Sequence, residues 1–381
     1  MNSRERVLLA LAHKEPDRVP IDFGGLVSSL HHEAYRHLLK YLGTPVDEIP
    51  IMDMFQQIVD PAPALKDRFH ADIAGLFPHG PAGFEFKLDS ATDSFLDEWG
   101  VVYRRPPGGY WYDLAGHPLA EGTMEELLGL RFPDPRDPHR VKGLADETRR
   151  LLSETDKAVM IHAPIGGVFE QSYWLRGLES LFMDMAHNMK YVEALAERVV
   201  EWLLEFWDLV LDEVGPYVHV VELSDDLGGQ HGPLFSPELY REIYKPRHRR
   251  LTDLIHSKTE ARIFLHCCGS IRWALPDLIE SGIDIINPVQ VSARDMETER
   301  LKREFGQDMV FWGGGADATK VLPFGTPQDV REEVKRRIHD LAPGGGFVFA
   351  PIHNIQADVP PENIVALFEA AYEFGQYGHG T

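Results

Sequence analysis

From about residue 156 onward the chain repeats one pattern: a short apolar run, a polar or glycine-bearing junction, then a segment carrying a helix-start signal. Apolar runs of this length bounded by turn residues read as buried strands. They cover residues 157–164, 218–226, 262–268, 283–290, 309–313 and 347–353. Upstream, residues 71–78 read as a further strand, and residues 18–23 as an eighth or as a strand leading into the set. Ser236-Pro237-Glu238 and Thr326-Pro327-Gln328 each place a capping side chain before a proline at the first helical position, where a missing N–H is harmless. Strands alternating with helices over about 300 residues predict a parallel sheet covered by helices, and a (β/α)8 TIM barrel suits the length. An open doubly wound sheet is the alternative.

Two regions break the rhythm. Residues 1–65 read as an N-terminal helical extension, and residues 99–119 as an inserted β-hairpin. In the latter, Trp99-Gly100-Val101-Val102-Tyr103 and Tyr110-Trp111-Tyr112 flank the turn-rich Pro106-Pro107-Gly108-Gly109. Such a hairpin either lies over the barrel mouth as a lid or packs its aromatics on a neighbouring helix. With no low-complexity tract or long linker, residues 1–381 are expected to form a single domain.

Charge and cysteine content narrow the partners. A formal net charge of -22, from 38 basic and 60 acidic residues, repels phosphate backbones and anionic lipid, so neither nucleic acid nor membrane is an expected partner. No apolar run reaches membrane-spanning length, and Met1-Asn2-Ser3-Arg4-Glu5-Arg6 begins a charged helix instead of a signal peptide. The two cysteines are adjacent, which offers no disulfide framework and agrees with a reducing compartment. A cytoplasmic location is expected; the oligomeric state is left open.

In a barrel, functional side chains come from the C-terminal ends of the strands, and here every strand ends polar. His162 ends one strand, Glu222, Ser224 and Asp226 another, and His266 and Cys268 a third. Asn287 and Gln290, Asp317 after Gly313-Gly314-Gly315, and His353-Asn354 complete the set. Period two puts Glu222, Ser224 and Asp226 on one face, towards the barrel interior, and Val221 and Leu223 on the other. Leu265-His266-Cys267-Cys268-Gly269 is the sharpest signal, because His266 and Cys268 point the same way and form an H-x-C half-site of zinc-preferred donors. His353 is the expected third ligand, on a last strand whose inward set would be Phe347, Phe349, Pro351 and His353; Glu222, Asp226 and Asp317 are reserves. Three protein ligands leave a fourth position for a substrate atom. His162, Ser224, Gln290 and Asn354 are assigned to substrate binding. Gly313-Gly314-Gly315-Ala316-Asp317-Ala318 loosely matches a dinucleotide fingerprint, but the next helix starts only after Thr326, too far away to hold a pyrophosphate.

Several segments together resemble the uroporphyrinogen decarboxylase superfamily, which includes corrinoid-linked methyltransferases. They are Arg4-Glu5-Arg6-Val7 through Asp17-Arg18-Val19-Pro20, Trp174-Leu175-Arg176-Gly177, Ser224-Asp225-Asp226-Leu227-Gly228, His266-Cys267-Cys268-Gly269, Gly325-Thr326-Pro327 and Val359-Pro360-Pro361-Glu362-Asn363-Ile364. The resemblance implies a (β/α)8 barrel with its pocket at the strand C-termini. The decarboxylase branch carries an arginine-rich motif, M-R-Q-A-G-R, with no counterpart in Ile21-Asp22-Phe23-Gly24-Gly25-Leu26. A substrate with many carboxylates would lie unpaired at an acidic mouth without it.

The methyltransferase branch has a zinc motif H-x-C-G plus a cysteine late in the last strand. His266 and Cys268 match it, and His353 stands in place of the late cysteine. A nitrogen donor in place of sulfur makes zinc a stronger Lewis acid, which suits ether cleavage. O-demethylase methyltransferase components are similar and associated with the pattern E-x14-E-x20-H, whose spacing Asp317, Glu332 and His353 share. Glu332, however, falls inside the helix after Thr326, on the barrel's outer side. The resemblance thus implies a zinc-dependent methyltransferase working between a small O-methylated compound and a corrinoid protein, with Asp226 or Glu222 orienting the substrate or managing its proton. A uroporphyrinogen decarboxylase-type decarboxylase is the alternative, and a non-catalytic tetrapyrrole- or corrinoid-binding protein a third reading.

Overall fold

Strands in the computed structural model, which describes residues 1–45 and 49–378, follow one another around a curved parallel sheet in chain order. They are β1 (Ile73–Leu76), β2 (Ala158–Ile161), β3 (Val220–Ser224), β4 (Arg262–His266), β5 (Ile285–Asn287), β6 (Val310–Trp312) and β7 (Phe347–Val348). Each is shorter than its apolar run, because laddering stops where the polar ends begin. The register puts Glu222 beside Phe264 and Ser224 beside His266, and His266 beside Asn287.

The eighth position is filled by residues 18–23. Ile21 bridges in parallel to both Ala71, next to β1, and Phe349, next to β7, so the two sheet edges meet and the barrel closes. Backbone bonds from Asp22 to Phe349 and from Asp72 to Ile21, each 2.8 Å, seal that seam. The architecture is α/β and TIM-barrel-like. No helix among the described residues is long and apolar enough to cross a membrane.

Inside the barrel, Ile73, Ala158, Met160, Val220, Phe264, Ile285, Val310, Trp312, Val348 and Ala350 form one apolar cluster. Val7 and Leu11 join it from the helix Ser3–Leu11, which closes the N-terminal end. The parity expected on β3 holds: Val221 and Leu223 pack outward under the helices. On β7 it is reversed, since Val348 and Ala350 face inward while Phe347 and Phe349 face the helices. The last ladder is only two residues long, and beyond it the backbone turns, so counting by twos fails before His353.

Residues 1–65 are less helical than expected. The helices Ser3–Leu11, His32–Tyr41 and Pro63–Arg68 are separated by the closing segment and by the antiparallel ribbon Ile51–Asp53 and Ile58–Val59. Both helix starts marked by proline are built as read. Thr326 forms a capping box with Asp329, and Ser236 accepts the Leu239 N–H.

The insert is a three-stranded meander: Ser94–Leu96, Val102–Arg104 and Asp113–Gly116. Trp99 is buried against Trp202 and Phe132, and Tyr103 and Tyr112 are buried too, leaving Tyr110 and Trp111 exposed at the tip. It is therefore an anchored wall rather than a free flap. Its first turn wraps Asp97, which accepts the Trp99 and Val101 N–H groups, both at 2.9 Å. Burial lifts the Asp97 carboxyl from 3.8 to about 6. A raised carboxyl favours the fold only while protonated: its contribution is full below pH 3.8 and lost as pH passes 6. Asp97→Asn should match wild type near pH 4 and gain on it by roughly 2–3 kcal/mol at pH 7–8. A pH series of melting temperatures checks this, and a difference that does not change with pH contradicts it.

Candidate metal centre

β4 delivers His266 to the barrel mouth, and the chain then turns so that Cys268 faces it. The His266 Nε2 and Cys268 Sγ atoms lie 3.3 Å apart. Cys267 points the other way, buried in the outer core, where its sulfur accepts the Leu227 N–H at 3.3 Å. The His353 ring meets the His266 ring edge-on, with centroids 5.3 Å apart. One ligand atom from each of His266, Cys268 and His353 lies within 4.8 Å of the other two, and no other group of three histidine, cysteine or acidic residues converges like this among the described residues. Donors around a tetrahedral zinc stand about 3.5 Å apart, so the set fits with a small inward movement of the widest pair.

The tautomer of His266 is set by its neighbour. The Asn287 amide nitrogen donates to the Trp312 carbonyl at 3.1 Å, which leaves its oxygen facing His266 Nδ1 at 2.6 Å. Nδ1 must therefore carry the hydrogen, and the Nε2 lone pair points at Cys268, as a metal ligand requires. Burial, and then the neighbouring His266, push His353 down to about 3, so its imidazole is neutral and able to coordinate. Burial and Asp226 raise the Cys268 thiol; a bound cation would offset both. Asn287→Leu should weaken zinc binding by about 10–100-fold while the fold persists. Competition with a chromophoric chelator reads this, and an unchanged affinity would exclude the second-sphere role.

Carboxyl groups line the rest of the mouth. Ser224 Oγ donates to Glu170 Oε2 at 2.5 Å, and Asp226 accepts the Cys268 N–H at 2.6 Å. Burial raises both carboxyls, Glu170 strongly, with Asp226 as its next cause. Two buried carboxyls without a cation between them tend to share a proton. Asp225 turns outward: it accepts the Phe169 N–H and, at 2.9 Å, the Glu170 N–H, anchoring the start of the helix Val168–Arg176. His248 holds its other oxygen at 2.8 Å.

Deeper in the barrel, His162 Nδ1 pairs with Glu222, and the His162 ring stacks on Phe77. Asp22, on the closing segment, accepts Trp312 Nε1–H at 2.9 Å, and burial raises its carboxyl. Glu170 and Asp22 were not among the residues expected from sequence. The signal for Asp22 was the inward parity of residues 18–23; that for Glu170 was an acid in a helix's first turn just after the Gly166-Gly167 strand end.

Of the remaining expected residues, Gln290 accepts the Gly269 N–H at 2.7 Å and so fixes the turn after Cys268. Asn354, 2 % exposed, accepts the Ser29 N–H and donates to the Leu26 carbonyl, both at 2.9 Å. Asp317 caps its own loop through Thr319 and Lys320. Glu332 is exposed on the helix Pro327–Leu341, bonded to Gln328 at 2.8 Å. The acid, acid, histidine spacing is therefore not assembled around His353.

Comparison with known proteins agrees with this architecture. The uroporphyrinogen decarboxylase (URO-D) family model matches residues 116–374. A methylated-thiol–coenzyme M methyltransferase of Methanosarcina mazei is 29% identical over 233 residues, 61% of this chain and 58% of that protein. A uroporphyrinogen decarboxylase of Thioalkalivibrio sulfidiphilus is 22% identical over 386 residues, 97% of this chain and 98% of its own. Among solved structures, a methyltransferase from Methanosarcina mazei superposes with a TM-score of 0.63 at 19% identity, covering 98% of this chain and 99% of that one.

Proposed function

Because this chain belongs to the uroporphyrinogen decarboxylase family, we propose that it is a zinc-dependent methyltransferase of that family, moving a methyl group from a small O-methylated compound to a corrinoid held by a partner protein. The observation that carries this reading is the convergence of His266, Cys268 and His353 at the mouth. Zinc bound there would act as a Lewis acid on an oxygen at its open position. Such a set has no obvious part in a decarboxylation that relies on cationic groups to hold carboxylates.

The surrounding residues take complementary roles. When the methyl carbon–oxygen bond breaks, the oxygen keeps the electron pair and needs a proton. Glu170 and Asp226, both raised by burial near Cys268, are the acids placed to supply it. Glu222 orients His162, Ser224 holds Glu170, and Gln290 keeps the chelating turn in place. The relative named for methylated thiols and coenzyme M favours a methyl-transfer chemistry, and those named as decarboxylases make decarboxylation the second reading. Against that second reading, the polar groups in and around the mouth include Asp22, Glu170, Glu222 and Asp226, which offer a carboxylated substrate no cation to pair with.

The test is product analysis. Zinc-loaded protein is incubated with a panel of methoxylated compounds and a reduced corrinoid protein. The expected result is methylated corrinoid and demethylated compound in equal amounts. Carbon dioxide from a carboxylated tetrapyrrole, with no methylated corrinoid from any donor, would overturn the proposal.

A further inference from the structure

One buried atom near the centre is left without a partner. His162 is 1 % exposed; its Nδ1 is held by Glu222, but its Nε2 makes no hydrogen bond. An orphaned polar atom of this kind costs about 1–3 kcal/mol, so its retention calls for a physical reason. Two glycines keep the space beside it clear. A Cβ at Gly75 would stand 2.9 Å from Nε2, and one at Gly25 would stand 3.2 Å from the adjacent Cε1. The titratable groups on neighbouring elements are Asp22 and Glu222, the first held by Trp312.

Residues 24–29 cover this gap. They begin at Gly24, whose φ of 96° lies in the left-handed region. Three of their bonds are internal, such as Gly25 N–H to Ser28 Oγ at 3.0 Å, and Val27 rests on the barrel's apolar interior. Four bonds reach outside the segment: Asn354 makes two, to Ser29 and Leu26, and the others gather at Ser29, whose Oγ donates to the Val59 carbonyl at 2.6 Å and whose carbonyl accepts the Ile355 N–H at 2.9 Å. Residues 24–28 are thus tied down from outside by Asn354 alone, through Leu26. Asn354 follows His353 in sequence, so the latch and the third chelating residue share one turn.

We propose that residues 24–29 are a gate latched by Asn354, and that it covers the His162 Nε2 lone pair, which binds a hydroxyl or amino group of the methyl donor. When the imidazole is neutral and Nδ1–H is donated to Glu222, Nε2 is an acceptor and selects a hydrogen-bond donor. His162 sits two strands from His266 and about one side-chain layer deeper, a separation of roughly 10 Å, within the span of a substituted ring. The donor class is therefore a methoxylated compound that also carries a free hydroxyl or amine. The donor's identity rests on the methyltransferase reading; the gate does not.

Carbethoxylation of each histidine by diethyl pyrocarbonate, read by mass spectrometry on the full chain, tests this without any turnover. His339, exposed on its helix, is the internal reference. His162 should react at least about 10-fold more slowly than His339 in wild type, and several-fold faster in Asn354→Ala. There 2-methoxyphenol should protect it and 1,2-dimethoxybenzene should not. An unchanged His162 rate in folded Asn354→Ala, or equal protection by both compounds, would overturn the proposal. Hydrogen exchange of wild type covers the case in which that variant does not fold: residues 24–29 should exchange faster than β2 and β3, and equal protection refutes the gate. Loss of zinc alone would overturn the methyltransferase reading and leave these results standing.

Discussion

Alanine at His266 or Cys268 is expected to lower methyl transfer by at least about 10²–10³-fold, with the fold retained. Polarisation of a leaving oxygen by a metal is worth several kcal/mol of barrier, and each 1.4 kcal/mol is a factor of ten. His266 ends β4 and Cys268 lies on the turn that follows, so a single alanine removes one of three donors and lets the pair misalign. The cost to folding is small by comparison: Asn287 keeps its bond to Trp312, and Cys268 is only part-buried. Steady-state rates beside melting temperatures separate the two effects. A variant that turns over normally would remove these residues from the chemistry.

Asp72→Ala is expected to have the largest effect on stability, about 3–5 kcal/mol. Asp72 is fully buried and accepts from Arg6 at 2.8 Å and from Arg18 at 2.7 and 2.9 Å. Its second oxygen also takes the Ile21 N–H at 2.8 Å, so one carboxylate ties the closing segment to β1. Removing it strands the Arg18 guanidinium and the Ile21 amide at the seam where the barrel shuts: Arg18 has no other carboxylate among its bonds, whereas Arg6 keeps Asp17 at 2.7 Å. Chemical denaturation measures the loss. A change below about 1 kcal/mol would mean that the seam closes without the ion pairs.

What was legible in the sequence was whatever depends on local periodicity. The βα rhythm gave the strand order, and alternation on β3 placed Glu222 and Ser224 inward with Leu223 outward. The same rule brought His266 to the mouth at the end of β4, while Cys268 joins it from the turn beyond. Legibility ended where the chain left regular structure. His353 comes close to His266 and Cys268 although β7 has the opposite parity from that expected, because the approach is made by a turn.

Long-range arrangements were hidden for a different reason. Glu170 comes from a helix, and it is brought to the mouth by Asp225 capping that helix from a strand far along the chain. Asn287 was visible as a polar strand end, but its effect on the His266 tautomer depends on a third residue's carbonyl. Asn354 looked like a mouth residue and is one by position, while its hydrogen bonds are committed to the segment it holds. Spacing alone misled at Glu332, where the interval matched and the helix carried the side chain outside.

If His266, Cys268 and His353 hold one metal ion, zinc content reports it directly. Protein purified without chelators should contain about one zinc per chain, lost in His266→Ala and Cys268→Ala and reduced or weakly held in His353→Ala. Wild type that stays zinc-free after loading, or three variants that retain a full equivalent, would contradict the account.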